Sequence, residues 1–446
     1  MAKKIAFVEA NPPNNRGEFT KFSNLDPYGL EILGAVAMRE GFDVSIHQQN
    51  EMPNSEFFEE VIEDPSDVCA FSCMAYNYDQ SIALAKQIKG KSPDVRVIFG
   101  GSQVSSHPKG LEQALSAGVV DFGIRGEADY SFRDLINNID EPDLTIPGLV
   151  YMQEGKIKTN PNAERIRDLD ELPFALRDEK ILERTDVGKL MFPAISDQVS
   201  AGLIAYSRGC PFSCSYCDSR NIWGRNVVWR SPKNVVDEIQ ELNERYGTNT
   251  LFFSDLTFNA NPKKVHELCD ELIDRNLGVY WYVMARPATP DGNHPLFDRE
   301  LLEKMYEAGC TKMALGFEGG ATDEIQDRFR KKATTGILTD VVEQAHQVGM
   351  MVKGAIILGD PEYETNESVT KTLEALKRIK FDELRTSFLT AFPGSELYRQ
   401  ANQAGELLTD DLSRYTTDEP NLRCRNLSSE ELTNARNFMT SEYYGS

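Results

Sequence analysis

The chain has 446 residues, more than one ordinary domain holds, and its 40% hydrophobic and 26% charged content is that of a folded, soluble protein. A net charge of −22 and a pI near 4.8 exclude the basic face that nucleic acid binding requires. No apolar run approaches the length of a membrane span, and the opening Met-Ala-Lys-Lys-Ile-Ala-Phe-Val reads as a strand rather than a signal peptide, so no membrane association is expected.

Residues 3–135 alternate short apolar strands with amphipathic helices. Strands are predicted at Lys4–Glu9, Asp43–His47, Asp67–Ser72, Arg96–Phe99 and Val119–Ile124, with helices at Pro27–Glu40, Gln80–Ile88 and near Lys109–Ser116. Short connections between such elements imply a parallel sheet covered on both faces, with ligands at the carboxyl ends of the strands. Those ends carry Asn11–Gly17, Ser72-Cys73-Met74, Gly100-Gly101-Ser102 and Arg125-Gly126-Glu127. Residues 140–200 are punctuated by Pro142, Pro147, Pro161, Pro173 and Pro193 and read as an extended linker.

From Leu203 the alternation resumes. Strands are predicted at Gly202–Ser207, Leu251–Asp255, Val279–Ala285, Lys312–Glu318, Met351–Leu358 and Glu383–Thr390. Helices are predicted at Val235–Tyr246, Pro262–Arg275, Arg299–Ala308, Thr335–Val348 and Glu367–Lys377. Right-handed crossovers curl six such units into a partial (β/α)6 barrel. The expected organisation is therefore α/β throughout: a Rossmann-like domain over 1–139, a linker over 140–200, the barrel over 201–400 and a tail over 401–446.

Cys210-Pro-Phe-Ser-Cys214-Ser-Tyr-Cys217 follows the first barrel strand, at the end of the sheet where barrel active sites form. Thiolates at this spacing can hold three corners of a cubic iron–sulfur cluster and leave one iron open. A zinc site would show four ligands in paired halves, and no second half is present. Among the remaining cysteines, Cys69 and Cys269 fall at apolar-periodic positions and are expected in packing roles, whereas Cys73 sits in a candidate ligand loop. Eight cysteines with this distribution suit a reducing cytoplasm.

The octapeptide, with Tyr216 ahead of its last cysteine, resembles the CxxxCxxC motif of the radical S-adenosylmethionine (SAM) superfamily. That resemblance implies a 4Fe–4S cluster on Cys210, Cys214 and Cys217 whose open iron chelates SAM. Later motifs follow in order. Phe252-Phe253-Ser254-Asp255 with Phe258 resembles the F-x-D-x-x-F version of the cobalamin-dependent branch, implying Asp255 near the SAM ammonium. Arg286, ending the third strand, is expected on the SAM carboxylate. Gly316-Phe317-Glu318-Gly319 matches G-x-E-S/G and implies Glu318 at the ribose hydroxyls. The run from Gly354 through Ile356 to Gly359 is similar to the adenine-stacking G-x-I-x-G motif but one residue longer. Ala391–Tyr398 resembles the segment that closes the sixth strand.

Residues 3–135 resemble the cobalamin-binding domain that precedes the barrel in that branch, on Gly41-Phe42-Asp43-Val44, Phe99-Gly100-Gly101 and Asp121–Asp129. This implies cobalamin contacts from Ser72, Met74, Tyr76, Gly100, Gly101, Gly126 and Glu127. The first-strand loop lacks Asp-x-His-x-x-Gly, so cobalt is expected without a protein histidine below it, His47 and His107 being structural or exposed. The implied activity is methylation of an unactivated carbon of a small molecule through a 5′-deoxyadenosyl radical, with a reductant such as flavodoxin or ferredoxin. The alternatives are a radical rearrangement, cyclisation or oxygen insertion on the same architecture, and a non-catalytic cobalamin or SAM sensor.

Overall fold

The inner strands of the first unit are so apolar that both faces of their sheet must be covered. A computed structural model describes residues 3–11, 25–49, 52–107, 109–177 and 200–445. The rest of the expected Asn11–Gly17 loop beyond Asn11 lies outside them. Two compact units result: Met1–Asp186 with Asp218–Gly224 and Asp411–Tyr415, and Val187–Cys217 with Arg225–Asp410 and Thr416–Ser446.

In the first unit the elements run β1 (Lys4–Glu9), α1 (Tyr28–Arg39), β2 (Asp43–Gln48), α2 (Asn54–Glu63), β3 (Val68–Ser72), α3 (Tyr78–Lys91), β4 (Arg96–Gly100), α4 (Ser102–Ser106), α5 (Lys109–Ser116), β5 (Phe122–Ile124), α6 (Asp129–Asn137), β6 (Leu149–Gln153) and β7 (Lys156–Thr159). A further short helix, α7 (Arg220–Trp223), belongs to the same unit. The sheet order is β2-β1-β3-β4-β5-β6-β7. Pairings are parallel through β5, and β6 and β7 are antiparallel. Period-two alternation splits β1 between two cores. Ala6 and Val8 pack with Phe71, Leu84 and Phe99, while Ile5 and Phe7 pack on the other face with Ile98 and Phe132. Burying each such large side chain contributes about 1.5–3 kcal/mol. The chain reverses its sequence order between β1 and β3, and the crevice at that switch point is the default ligand site of such sheets.

The second unit contains β8 (Ala201–Ile204), β9 (Ser207–Arg208), β10 (Val228–Trp229), α8 (Pro232–Tyr246), β11 (Thr250–Phe253), α9 (Pro262–Arg275), β12 (Tyr280–Ala285), α10 (Arg299–Glu307), β13 (Cys310–Glu318), α11 (Asp323–Phe329), α12 (Thr335–Val348), β14 (Met351–Leu358), α13 (Asn366–Ile379), β15 (Glu383–Phe388), α14 (Glu396–Ala404) and α15 (Ser429–Tyr444). The six long strands are all parallel in the order β15-β14-β13-β12-β11-β8. Neighbours in sequence are neighbours in space, so the helices gather on one face, as in a barrel. Alternate residues point outward into one large core, among them Ile204, Phe253, Trp281, Leu315 and Val352. Side-chain caps mark where the helices begin. Ser231 accepts from Asn234 N ahead of Pro232, and Thr365 forms a reciprocal capping box with Ser368.

Two stretches differ from expectation. The linker begins as folded structure: β6 and β7 form a hairpin on the edge of the first sheet, joined by Glu154-Gly155, both at positive φ (51° and 71°). Beyond residue 400, α15 is no loose tail, since Leu432, Ala435 and Met439 enter the outer core of the second unit.

Candidate active site

The cysteine loop leaves β8 through Ser207-Arg208, and β9 pairs antiparallel with β10 to close its base. Gly209 sits there at φ +110°, where a Cβ would lie 2.3 Å from Asn226 O, so only glycine fits. Cys210, Cys214 and Cys217 are partly exposed and form no disulfide. Several bonds fix the loop: Ser215 Oγ donates to Arg328 O (2.8 Å), Leu397 N donates to Ser215 O (3.1 Å), and Cys217 N donates to Cys214 O (3.3 Å). Tyr216 packs edge-on against Phe329 at 5.3 Å, and burial, Glu318 and the neighbouring thiols hold its phenol well above its ordinary range. Among the described residues no group of His, Cys, Asp or Glu converges on a single ion. In a cubic cluster each thiolate binds a different iron, and three soft donors on one exposed loop fit that group.

The residues expected around SAM divide. Glu318 lies at the inner end of β13, beyond a register shift, at φ +51°. Its Oε1 meets Lys331 Nζ at 3.2 Å, with both side chains largely buried. Arg330 and Lys332 also occupy positive φ (55° and 54°). Non-glycine residues in this region cost about 1–3 kcal/mol each and concentrate at functional sites. Nothing in the sequence singles out Lys331, because no motif covers it.

Asp255 is buried, and burial raises its carboxyl to about 6. Its oxygens accept from Tyr206 N (3.0 Å) and Ser207 Oγ (2.5 Å), so it braces the root of the cysteine loop. Arg286 is also committed to the protein, donating to Cys214 Sγ (3.4 Å) and to the carbonyls of Arg330 (3.1 Å) and Lys331. Ile356 departs from its expected stacking role. It is 1% exposed within the outer core, and the extra residue in the Gly354–Gly359 run leaves its neighbour Ile357 on the opposite, partly exposed face.

Lower on the inward faces, Lys312 meets Glu383 at 2.5 Å and Lys353 meets it at 3.7 Å. Arg385 donates to Thr417 Oγ1 (3.1 Å) and to Ser387 Oγ (3.2 Å). Ala355 stands between Gly316 and Arg385 in register, which keeps the adjoining wall low.

In the first unit the expected cobalamin residues gather at the carboxyl edge. Ser72 O accepts from Asn77 Nδ2 (3.2 Å), Met74 N donates to Asn77 Oδ1 (2.8 Å), and Ser102 Oγ donates to Met74 Sδ (3.0 Å). Tyr76, in the same turn, has its phenol pushed up by burial and by Glu9. Gly100 ends β4 without a steric demand for glycine, whereas Gly101, at φ +94°, would put a Cβ 2.5 Å from Cys73 O. Gly126, at φ +78°, accepts support from Ser105, whose Oγ takes its N–H at 3.0 Å. Glu127 turns its carboxylate to Arg165 Nε (2.8 Å) and Ile166 N (3.0 Å), tying down a segment expected in the linker. Two residues not anticipated complete the edge. Glu9 ends β1, with its carboxyl raised by burial to about 7 while Gln48 donates to it at 2.8 Å. Gln103 has a buried Nε2 with no hydrogen-bond partner, the kind of orphan donor that a bound polar ligand satisfies. His47 is occupied elsewhere, between Glu60 (2.9 Å) and Asp64 (2.8 Å). The edge thus fits a large ligand that brings its own metal. No helix among the described residues is long and apolar enough to cross a membrane.

Family models match both units. The B12 binding domain model covers residues 22–136 and the Radical SAM superfamily model covers residues 204–376. An uncharacterized methyltransferase of Pyrococcus horikoshii is 26% identical over 91% of this chain and 85% of its own. An anaerobic magnesium-protoporphyrin IX monomethyl ester cyclase of Rubrivivax gelatinosus is 25% identical over 94% of this chain and 73% of its own. The fold is that of the radical SAM methyltransferase TsrM from Kitasatospora setae, solved with cobalamin and a 4Fe–4S cluster, at TM-score 0.70 and 18% identity over 94% of this chain and 82% of that one. Carrying both domains in this order behind the three-cysteine loop, the chain belongs to the cobalamin-dependent radical SAM enzymes, whose cofactors are a 4Fe–4S cluster, SAM and cobalamin.

Proposed function

We propose that this enzyme transfers a methyl group to an unactivated carbon of a small molecule. Similarity over most of both chains to a methyltransferase supports this, and the fold of a second methyltransferase agrees with it. When bound, the cluster and SAM supply the radical that removes hydrogen, and cobalamin supplies the methyl group. The chain's own share is positioning. Cys210, Cys214 and Cys217 hold the cluster, Asp255 fixes the root of their loop, and the Glu318–Lys331 pair presents a carboxylate toward the SAM ribose. Ser72, Met74, Tyr76, Gly101 and Gln103 form the cobalamin edge. A one-electron protein reductant such as flavodoxin or ferredoxin is required.

Cyclisation is the second reading, supported by the similarity to the Rubrivivax cyclase. Product stoichiometry separates the two. Methyl transfer consumes one SAM to recharge cobalt and a second to make the radical, so S-adenosylhomocysteine and 5′-deoxyadenosine should accumulate in near-equal amounts when substrate is present. 5′-Deoxyadenosine without matching S-adenosylhomocysteine would rule out methyl transfer and favour cyclisation or rearrangement.

A further inference from the structure

We propose that Arg286 sets the reduction potential of the cluster and does not serve as the SAM carboxylate ligand. The inference rests on the cluster assignment, not on methyl transfer. Arg286 follows β12 and is 3% exposed. Its backbone is locked by a reciprocal pair: Arg286 N donates to Asn259 Oδ1 (3.0 Å), and Asn259 Nδ2 donates to Arg286 O (2.8 Å). Its guanidinium lies over the Phe212 ring at 4.0 Å, within the cysteine loop itself. Nη1 donates to Cys214 Sγ, and Nη2 spans the carbonyls of Arg330 and Lys331. That second grip holds the positive-φ segment from which Lys331 reaches Glu318.

Of the guanidinium donors not used in these three bonds, Nε–H is buried and its nitrogen has no hydrogen-bond partner. A buried donor without a partner is costly, so an acceptor is expected to complete it. A sulfide of the cluster, held by the thiolate that Arg286 already touches, is the acceptor assigned here. A buried cation that donates hydrogen bonds to cluster sulfurs stabilises the reduced, more negative cluster, because the extra electron meets a fixed positive charge in a poorly screened site. Lysine could keep the charge but not the simultaneous grip on sulfur, carbonyls and ring.

The test is a redox titration of the reconstituted full chain without SAM, followed by electron paramagnetic resonance of the reduced cluster. Arg286→Gln should shift the equilibrium about tenfold toward the oxidised form, a midpoint about 59 mV lower for this one-electron couple. Arg286→Lys should fall between it and the parent protein. An unchanged midpoint in Arg286→Gln, with SAM binding lost in equilibrium dialysis, would overturn the proposal and return Arg286 to the SAM carboxylate. Should Arg286→Gln fail to take up iron, Asn259→Ala carries the test, because it frees the arginine's backbone without removing its charge. A smaller shift in the same direction supports the proposal, and no shift contradicts it.

Discussion

The two candidate sites sit at the carboxyl ends of parallel strands, yet they are built in opposite ways. The barrel's cysteine loop draws its three candidate metal ligands from eight consecutive residues, Cys210 to Cys217. The first unit's edge collects Glu9, Ser72, Met74, Gly101, Gln103 and Glu127 from the ends of separate strands and the turns after them. Thiolates make the bonds themselves, so their spacing must match the cluster. A cofactor that carries its own metal asks mainly for shape and scattered polar contacts, and these leave a weaker pattern in the chain. The difference teaches that chemistry performed by side chains is local in sequence, whereas chemistry brought by a ligand is local only in space.

Removing the thiols should break the comparison most completely. With Cys210, Cys214 and Cys217 all changed to alanine, iron should fall from about four per chain to none. Circular dichroism should still report a folded barrel, since the loop lies outside its core, and cobalamin retention should persist. At the other site the equivalent break is a backbone one. Gly101→Ala places a Cβ against Cys73 O at a φ of +94°, and the strain and overlap together should cost about 3–5 kcal/mol. Equilibrium denaturation should show that loss in the first unit, with cobalamin retention lost and iron content kept.

Titration sharpens the contrast. Burial raises Glu9 from 4.5 to about 7, so its neutral form stabilises the fold. That contribution is complete below the unfolded value of 4.5 and is lost as pH rises through about 7, a change on the order of 3 kcal/mol. Glu9→Gln should flatten the dependence of the unfolding midpoint on pH between about 5 and 8. A profile identical to the parent's would show that Glu9 is not the buried acid. The smallest effects belong to the SAM pair: Glu318→Ala and Lys331→Met should each weaken SAM binding by about 1–3 kcal/mol in equilibrium dialysis. Neither should alter cobalamin retention.

The same contrast explains what was legible in the chain. Helices with plain apolar periodicity and caps, such as α9 and α12, fall on their predicted bounds. The cysteine loop was readable because its chemistry is contiguous. The β6–β7 hairpin was not, because Pro142, Pro147 and Pro161 around it imitate a linker while Glu154-Gly155 makes the turn between them. Asp255 and Ile356 stand out by motif and Arg286 by its place at a strand end, but neither signal says where each side chain points. Asp255 and Arg286 brace the cysteine loop, and one added residue puts Ile356 on the outer face. Lys331 and Gln103 left no signal at all, since single lysines and glutamines beside turns are ordinary surface residues unless the fold buries them.

We propose that one chain holds an iron–sulfur cluster on three cysteines and, separately, a cobalamin whose cobalt has no histidine below it. Anaerobic reconstitution with iron, sulfide and hydroxocobalamin, followed by metal analysis and spectroscopy of the purified chain, tests it most directly. About four irons and about one cobalt per chain are expected, with a base-off cobalamin spectrum. A histidine-ligated cobalt signal, a base-on spectrum, or iron without any retained cobalt would contradict it.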